Sequence, residues 1–185
     1  FHTGHDVLAI EYQLAPENAY PGPIDDCEHA YLALLKTGVD PSSIVLSGDS
    51  AGGNLALALV QRLRDRGVPL PKQLVLISPW VDLRNGGESV ERNAHFDYLH
   101  RGVLDRFRDL YLRDGGDVED PQVSPSFANF EGLPPMLIQA GGAEVLRTQI
   151  ERLAVGARRA GVPVELQIWP GMMHAWHGFT AFLPH

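Results

Sequence analysis

Three residues of this sequence, a serine, a glutamate and a histidine, have types and positions suited to nucleophilic catalysis. Ser50 lies in Gly48-Asp49-Ser50-Ala51-Gly52, between an apolar run at 44–46 and an apolar stretch at 54–60. A strand, a sharp turn that carries serine and then a helix form a nucleophile elbow, which pushes the hydroxyl clear of the sheet. We expect Gly48 and Gly52 to be needed there because a side chain at either position would collide with the neighbouring strand or helix.

A serine hydroxyl needs a base within hydrogen-bond reach, and the base needs a third group to orient it. His174 follows the apolar run from Val164 to Trp169, and Glu144 follows the run from Met136 to Ala140. If these runs are parallel strands, the loops after them gather beside Ser50 at the carboxyl ends of the strands. The chain order serine, acid, histidine is that of α/β-hydrolases and not that of chymotrypsin-like or subtilisin-like enzymes.

Other residues compete for the acid and base roles. Asp82 also follows an apolar run and is the main rival acid, while His177 is the rival base and is predicted to belong to the next helix. Glu144 has the alternative interpretation of an exposed acid at a helix N-terminus, which the helix dipole favours. We interpret two further acids as solvated loop charges, namely Asp117 and Asp120. Cys27 has acidic neighbours that disfavour a thiolate, so we interpret it as a small core residue.

Strand and helix patterns alternate along the chain, which predicts an α/β fold with a mostly parallel sheet and helices on both of its faces. Five apolar runs are predicted strands: Val7 to Tyr12, Ile44 to Ser47, Leu74 to Ser78, Met136 to Ala140 and Val164 to Trp169. The middle three are almost continuously apolar, which indicates burial on both faces, and the last alternates, which favours a strand near the sheet edge. Apolar spacing predicts helices at Ile24 to Leu35, Leu55 to Leu63 and Val145 to Ala160, the second of them central and buried.

The stretch from Pro79 to Pro135 interrupts this alternation and includes an amphipathic piece from Val103 to Leu112. We interpret 84–132 as an insertion, within one domain covering 1–185, that contributes to the wall of a pocket. The alternative is a surface excursion without function. Candidate wall residues are taken from their place in this region: Leu83, Phe96, Tyr98, Leu99 and Phe107.

Composition limits the partners. The net charge is −8 and the basic residues are scattered, which argues against nucleic acid or an anionic membrane as the partner. No apolar run is long enough for a membrane span, and the polar N-terminus does not resemble a signal peptide. The single cysteine excludes an internal disulfide framework and favours the cytoplasm. We expect no cofactor and no metal. The expected partner is a small-molecule substrate, and a homodimer is one alternative for the oligomeric state.

Several longer segments resemble the hormone-sensitive-lipase branch of the α/β-hydrolases, the bacterial esterase group called family IV. The resemblance covers nearly the whole chain. Its most specific segment runs from Gly48 to Ala56 and is similar to the family's G-D-S-A-G-G-N-L-A. The other matching segments are Glu11 to Glu17, Pro21 to Asp26, Ser78 to Leu83, Val123 to Pro125, Leu133 to Pro135, Gly161 to Val164 and Trp169 to His174.

The resemblance implies Ser50 as nucleophile, His174 as base and Glu144 at the acid position, where the family more often has aspartate. It implies that the elbow is supported by Gly48, Asp49, Gly52 and Gly53, and that Glu17 and Asp26 hold neighbouring loops. The Ala51 N–H, at the start of the following helix, is the expected oxyanion donor.

One family motif, H-G-G-G, has no counterpart in this sequence, and we expect the chain to be truncated at its N-terminal strands, with both ends cut. The resulting hypothesis is serine-dependent hydrolysis of small, fairly apolar carboxylic esters through an acyl-enzyme. Alternatives are an amide, carbamate or lactone hydrolase with the same triad, and a non-catalytic ligand-binding module on the hydrolase scaffold.

Overall fold

A four-stranded parallel sheet organises the protein, in a computed structural model that describes residues 4–179. The strands are β1 (Val45–Asp49), β2 (Gln73–Ile77), β3 (Met136–Gly141) and β4 (Val164–Trp169), and they lie side by side in that order. The α-helices are α1 (Gly22–Lys36), α2 (Ser50–Asp65), α3 (Glu88–Arg92), α4 (Arg101–Tyr111) and α5 (Arg147–Arg159). Short 3₁₀ turns occupy Pro41–Ser43, Pro125–Phe127 and Trp176–Phe179.

The register of the sheet brings the carboxyl ends of its strands to one edge. Asp49 pairs with Ile77, and Gly141 pairs with Trp169. Since all four strands are parallel, the loops that follow them emerge on the same side of the molecule. Residues far apart in the sequence can therefore meet there.

The helix α2 is the centre of the core, as its apolar sequence predicts. One of its sides, which includes Leu57 and Val60, joins the apolar cluster formed with β2, β3 and α5. Another side, which includes Leu59 and Leu63, packs with α1. Burial on more than one side explains why this helix lacks the polar face of an ordinary surface helix.

Two predictions about the strands were wrong for the described residues: one concerns the strand expected at 7–12, and the other the burial of the middle strands. Residues 7–12 form no regular secondary structure, and Val7 is 89% exposed, because this apolar run has no partner strand there. The expected burial of the middle strands on both faces is also contradicted. In β2 and β3 the buried residues alternate with partly exposed ones, and β1 exposes Val45. The reason is that α2 and α5 pack on one face of the sheet and form a single apolar cluster with it.

The other elements follow the sequence prediction closely. The strand β4 lies at the edge of the described sheet, as its alternating pattern predicts. The amphipathic piece at 103–112 corresponds to α4, whereas the short helix α3 was not predicted. Cys27 is buried in α1, and burial, with a smaller contribution from Asp26, raises the pKa of its thiol to about 11. The thiol therefore behaves as the core residue that was expected.

Candidate active site

Ser50 occupies a strained turn between β1 and α2. Its φ of 51° lies in the left-handed region, which L-residues other than glycine seldom adopt. The turn is held from one side by the Trp80 N–H, which donates to the Ser50 carbonyl oxygen over 3.0 Å. Such a conformation persists only where the surroundings determine it, and it aims the Ser50 hydroxyl away from the strand.

Close packing of glycines allows this turn. A Cβ on Gly48 would overlap the carbonyl oxygen of Gly52, and a Cβ on Gly53 would lie 2.8 Å from the Pro79 Cβ. The steric prediction for Gly52 was wrong in the described part of the chain, because a Cβ there faces open space with no atom within 4 Å. The close approach to the neighbouring segment is made by Gly53 instead.

The structure brings His174 and Ser50 together. The His174 Nε2 lies 2.9 Å from the Ser50 Oγ, a hydrogen-bond distance for a pair separated by 124 residues. His174 is buried, and burial lowers the pKa of its imidazole to about 4. The imidazole is therefore neutral at pH 7 and can accept the proton of the hydroxyl.

Glu144 is buried in the turn between β3 and α5. Its Oε2 accepts hydrogen bonds from the Ser78 hydroxyl at 2.6 Å and from the Gly141 N–H at 2.8 Å. Burial, the largest influence, raises the pKa of Glu144 to about 8 against the lowering effect of these donors. The interpretation of Glu144 as an exposed helix-end acid is thus contradicted by its complete burial.

Two buried atoms of the Glu144 and His174 side chains have no hydrogen-bond partner among the described residues. They are the second carboxyl oxygen of Glu144, Oε1, and the second ring nitrogen of His174, Nδ1. A buried polar atom without a partner is costly, so each of these atoms requires an explanation. One hydrogen bond between them would satisfy both, although the structure does not contain it.

The turn that carries Glu144 is fixed by the segment 88–99. The Asn93 amide donates to the Glu144 carbonyl oxygen at 2.8 Å, and the Asp97 carboxylate accepts from the Val145 N–H at 2.8 Å. The next residue, Tyr98, packs its ring at 5.9 Å from the His174 ring. Sequence reasoning missed these contacts because nothing in the spacing of polar loop residues shows which turn they bind.

The rival residues have other partners. Asp82 is buried against the Arg84 guanidinium, with two contacts of 3.0 Å, which explains a carboxylate at that position. His177 belongs to the 3₁₀ turn Trp176–Phe179, and its Nε2 lies 3.0 Å from the Gln139 side-chain oxygen. Asp117 is exposed, whereas Asp120 is partly buried and accepts from the Tyr20 hydroxyl, so only Asp117 matches the expected solvated charge.

Two of the expected support residues make no side-chain hydrogen bond or ion pair within the part of the chain that the structure describes. Asp49 is exposed and makes no side-chain cap hydrogen bond to α2, and Glu17 is exposed. Asp26, in contrast, accepts the Gln13 N–H at 2.9 Å and so holds the segment before α1. Ala51 is the second residue of α2, where a backbone N–H has no partner within the helix.

A cavity of about 580 Å³ adjoins Ser50 and His174. This volume lies in the range of small-molecule sites. Most of its lining side chains are apolar, and they include Trp80, Leu83, Tyr98, Leu99, Leu104, Phe107, Leu110 and Tyr111. Phe96, which was also expected in the wall, is not among the lining residues and is 69% exposed.

A family model described as alpha/beta hydrolase fold matches residues 2–178. The chain belongs to this family. An acetyl-hydrolase of Streptomyces hygroscopicus is 42% identical over 98% of this chain and 61% of its own length. An esterase of Acinetobacter venetianus is 39% identical over 98% of this chain and 60% of its own length.

Solved structures agree with this family assignment. A mutant of the esterase E40 matches with a TM-score of 0.91 and 43% identity, over 94% of this chain and 59% of that one. An esterase from the bacterial hormone-sensitive lipase family matches with a TM-score of 0.90 and 42% identity, over 94% and 59% of the two chains. The expected resemblance and the α/β-hydrolase fold are confirmed. The chain spans about three fifths of the length of these relatives.

The described residues contain no helix long and apolar enough to cross a membrane. They also contain no group of three or more histidine, cysteine, aspartate or glutamate side chains arranged to hold a metal ion.

Proposed function

We propose that this chain carries the catalytic residues of a serine-dependent carboxylic ester hydrolase. The observation that carries the proposal is the 2.9 Å contact between the Ser50 Oγ and the His174 Nε2 at a strained turn. A nucleophile hydrogen-bonded to a neutral base is the arrangement needed for acyl transfer. The names of the relatives, acetyl-hydrolase and esterase, support an ester as the substrate.

In the proposed reaction the Ser50 oxygen attacks the ester carbonyl carbon while His174 Nε2 takes the hydroxyl proton. The protonated imidazole then donates this proton to the leaving alkoxide, and an acyl-enzyme remains. A water molecule, deprotonated by His174, attacks the acyl carbon and releases the acid and the Ser50 hydroxyl. The Ala51 N–H donates to the oxyanion, assisted by its place in the first turn of α2.

Glu144 is proposed to orient the imidazole and stabilise its cation. Its Oε1 and the His174 Nδ1 are both buried without partners among the described residues, and an Nδ1–H donated to Oε1 would satisfy both. That bond would fix the tautomer in which Nε2 is free to accept the serine proton. The ionised carboxylate accepts this bond more strongly than the neutral acid and is the form that stabilises the imidazolium cation, so the proposed active pair has Glu144 deprotonated.

The substrate proposed is a small ester with a fairly apolar acyl group. The support is the apolar lining of the cavity beside Ser50, to which Tyr98, Leu99 and Phe107 contribute from the 84–132 insertion. We therefore propose that this insertion forms part of the substrate wall. Bulkier substitution at Leu99, which is buried in this wall, is expected to discriminate against longer acyl groups.

Hydrolysis of a p-nitrophenyl ester series by the parent chain and by Ser50→Ala tests the proposal. We expect kcat in the variant to fall on the order of 10⁴- to 10⁶-fold. Ser47→Ala, which changes an exposed serine in β1, is the matched control and should retain parent activity. Equal rates in the parent and in Ser50→Ala would refute the proposal and would favour a ligand-binding module.

We also propose a cytoplasmic location, which the single, buried Cys27 supports because it needs no oxidising compartment. Fractionation of the source cells would test it. A homodimer is one of the alternatives for the assembly, and light scattering on the purified chain would distinguish it from a monomer.

A further inference from the structure

Ser78 lies at the carboxyl end of β2, between the loops that carry the proposed acid and base. It follows Ile77 directly, is completely buried and has a φ of 45°. A non-glycine residue in the left-handed region is uncommon and costs conformational energy, so its surroundings must hold it there. Neither the proposed reaction nor the sequence pattern assigns it a role.

The hydroxyl of Ser78 contacts both loops through one oxygen. It lies 2.6 Å from the Glu144 Oε2, and it accepts the Ala175 backbone N–H over 3.1 Å. A backbone N–H can only donate, and an ionised carboxylate can only accept. When Glu144 is ionised, the direction of both hydrogen bonds is therefore fixed: the single hydroxyl hydrogen points to Glu144, and an oxygen lone pair receives the amide next to His174.

We propose that Ser78 is a positioning residue that holds the acid turn and the histidine loop at a fixed separation. By occupying Oε2, together with the Gly141 N–H, it leaves Oε1 as the carboxyl oxygen available to the His174 Nδ1. This inference rests on the proposed function, because Glu144 and His174 act as a pair only in that reaction.

The same hydrogen bond favours the ionised form of Glu144. The groups that influence its carboxyl are the Ser78 hydroxyl and the Gly141 N–H, which lower its pKa, and the Asp97 carboxylate and burial, which raise it. The other titratable groups beside it in the described structure are the His174 imidazole and the Tyr98 phenol, whose ring lies 5.9 Å from the His174 ring and whose pKa is raised by burial first and then by Asp97 and Glu144. Removal of the Ser78 hydroxyl should therefore raise the pKa of Glu144 and move the acidic limb of the kcat profile to higher pH.

Ser78→Gly is the informative variant. Glycine adopts a φ of 45° without strain, so the substitution removes the hydroxyl while preserving the backbone conformation. We expect kcat to fall by roughly 10- to 100-fold with little change in KM, since misplaced catalytic groups cost about this much. Ser124→Ala is the control, because Ser124 is also buried and its Oγ accepts a backbone N–H, that of Leu83, at 2.9 Å. Its kcat and pH profile should match those of the parent.

A purely structural role would leave kcat and the pH profile of folded Ser78→Gly unchanged, and that result would overturn the proposal. If Ser78→Gly fails to fold, Ser78→Cys keeps a side chain with a weaker donor, and parent-like kcat in that variant would also overturn it. Hydrogen exchange of a peptide containing Ala175 supplies a readout that is independent of turnover. We expect faster exchange in Ser78→Gly than in Ser124→Ala, and equal exchange would exclude the bridge even if the parent proved to hydrolyse no ester.

Discussion

Two glycines of the serine turn should respond to the same substitution in opposite ways. A Cβ at position 48 would overlap the carbonyl group of Gly52 and would lie 2.8 Å from the Gly53 nitrogen, all of them backbone atoms in the first turn of α2. A Cβ at position 52 would meet no atom within 4 Å in the described structure. Gly48→Ala therefore requires the turn to move, whereas Gly52→Ala requires no displacement.

The magnitudes follow from these contacts. Overpacking against backbone should destabilise Gly48→Ala by roughly 1–3 kcal/mol. The closest overlap, with the Gly52 carbonyl oxygen, sets the displacement, and its relief moves the turn by about 1 Å. That movement is expected to break the 2.9 Å contact between Ser50 and His174 and to lower kcat by up to about 100-fold. Gly52→Ala replaces glycine by alanine within a helix and should stabilise the chain by about 0.5–1 kcal/mol.

Urea unfolding followed by tryptophan fluorescence measures both free energies of unfolding, and ester hydrolysis measures kcat. The steric reasoning is refuted if Gly48→Ala is as stable as the parent. It is equally refuted if Gly52→Ala loses as much stability as Gly48→Ala.

Three further predictions concern titratable groups. The pKa of Glu144 is raised to about 8, and that of His174 is lowered to about 4. We therefore expect kcat/KM to rise with pH as Glu144 ionises and to reach a plateau above about pH 8. A kcat/KM that does not change between pH 6 and pH 9 would contradict this assignment. Protonated Glu144 stabilises the folded chain fully at pH values below the pKa that this group has in the unfolded chain, and this effect is lost as the pH rises through about 8. Glu144→Gln should therefore gain stability relative to the parent at pH 9. Urea unfolding measures this difference. Burial raises the pKa of the Cys27 thiol to about 11. Its reaction with a disulfide reagent at pH 8 should therefore be slow in the folded chain and fast in urea. Rapid labelling without denaturant would show that the thiol is not buried in this way.

The sequence predicted the parts of the site that depend on local pattern. Ser50 and His174 follow apolar runs that become β1 and β4, and the parallel register brings the ends of these strands together. Residue chemistry then suffices to suggest a nucleophile and a base. The 2.9 Å contact is the outcome that the spacing of these motifs led us to expect.

The remaining features depend on tertiary packing. Whether the apolar run at 7–12 forms a strand is decided by a pairing partner, which its own residues do not show. Which of the adjacent glycines meets Pro79 depends on the rotation of α2 about its axis, and the contact is made by Gly53. The role of Ser78 was not predicted, because a single serine at the end of an apolar run has no periodic signal. Its place as the last residue of the predicted strand Leu74 to Ser78, and the first of a segment that resembles the family, nevertheless puts it at the carboxyl end of the sheet.

The position of α2 links the reactive turn to global unfolding. This helix begins at Ser50, and from Leu55 onward its apolar side chains belong to both clusters of the core, so the helix cannot unfold without exposing packed side chains. The amides of α2 beyond its first turn, which are hydrogen-bonded within the helix, should accordingly exchange only in the slowest, whole-domain opening events. The nucleophile would then be among the last groups to lose its native geometry under denaturing conditions, and inactivation that precedes unfolding would originate in the loops facing it.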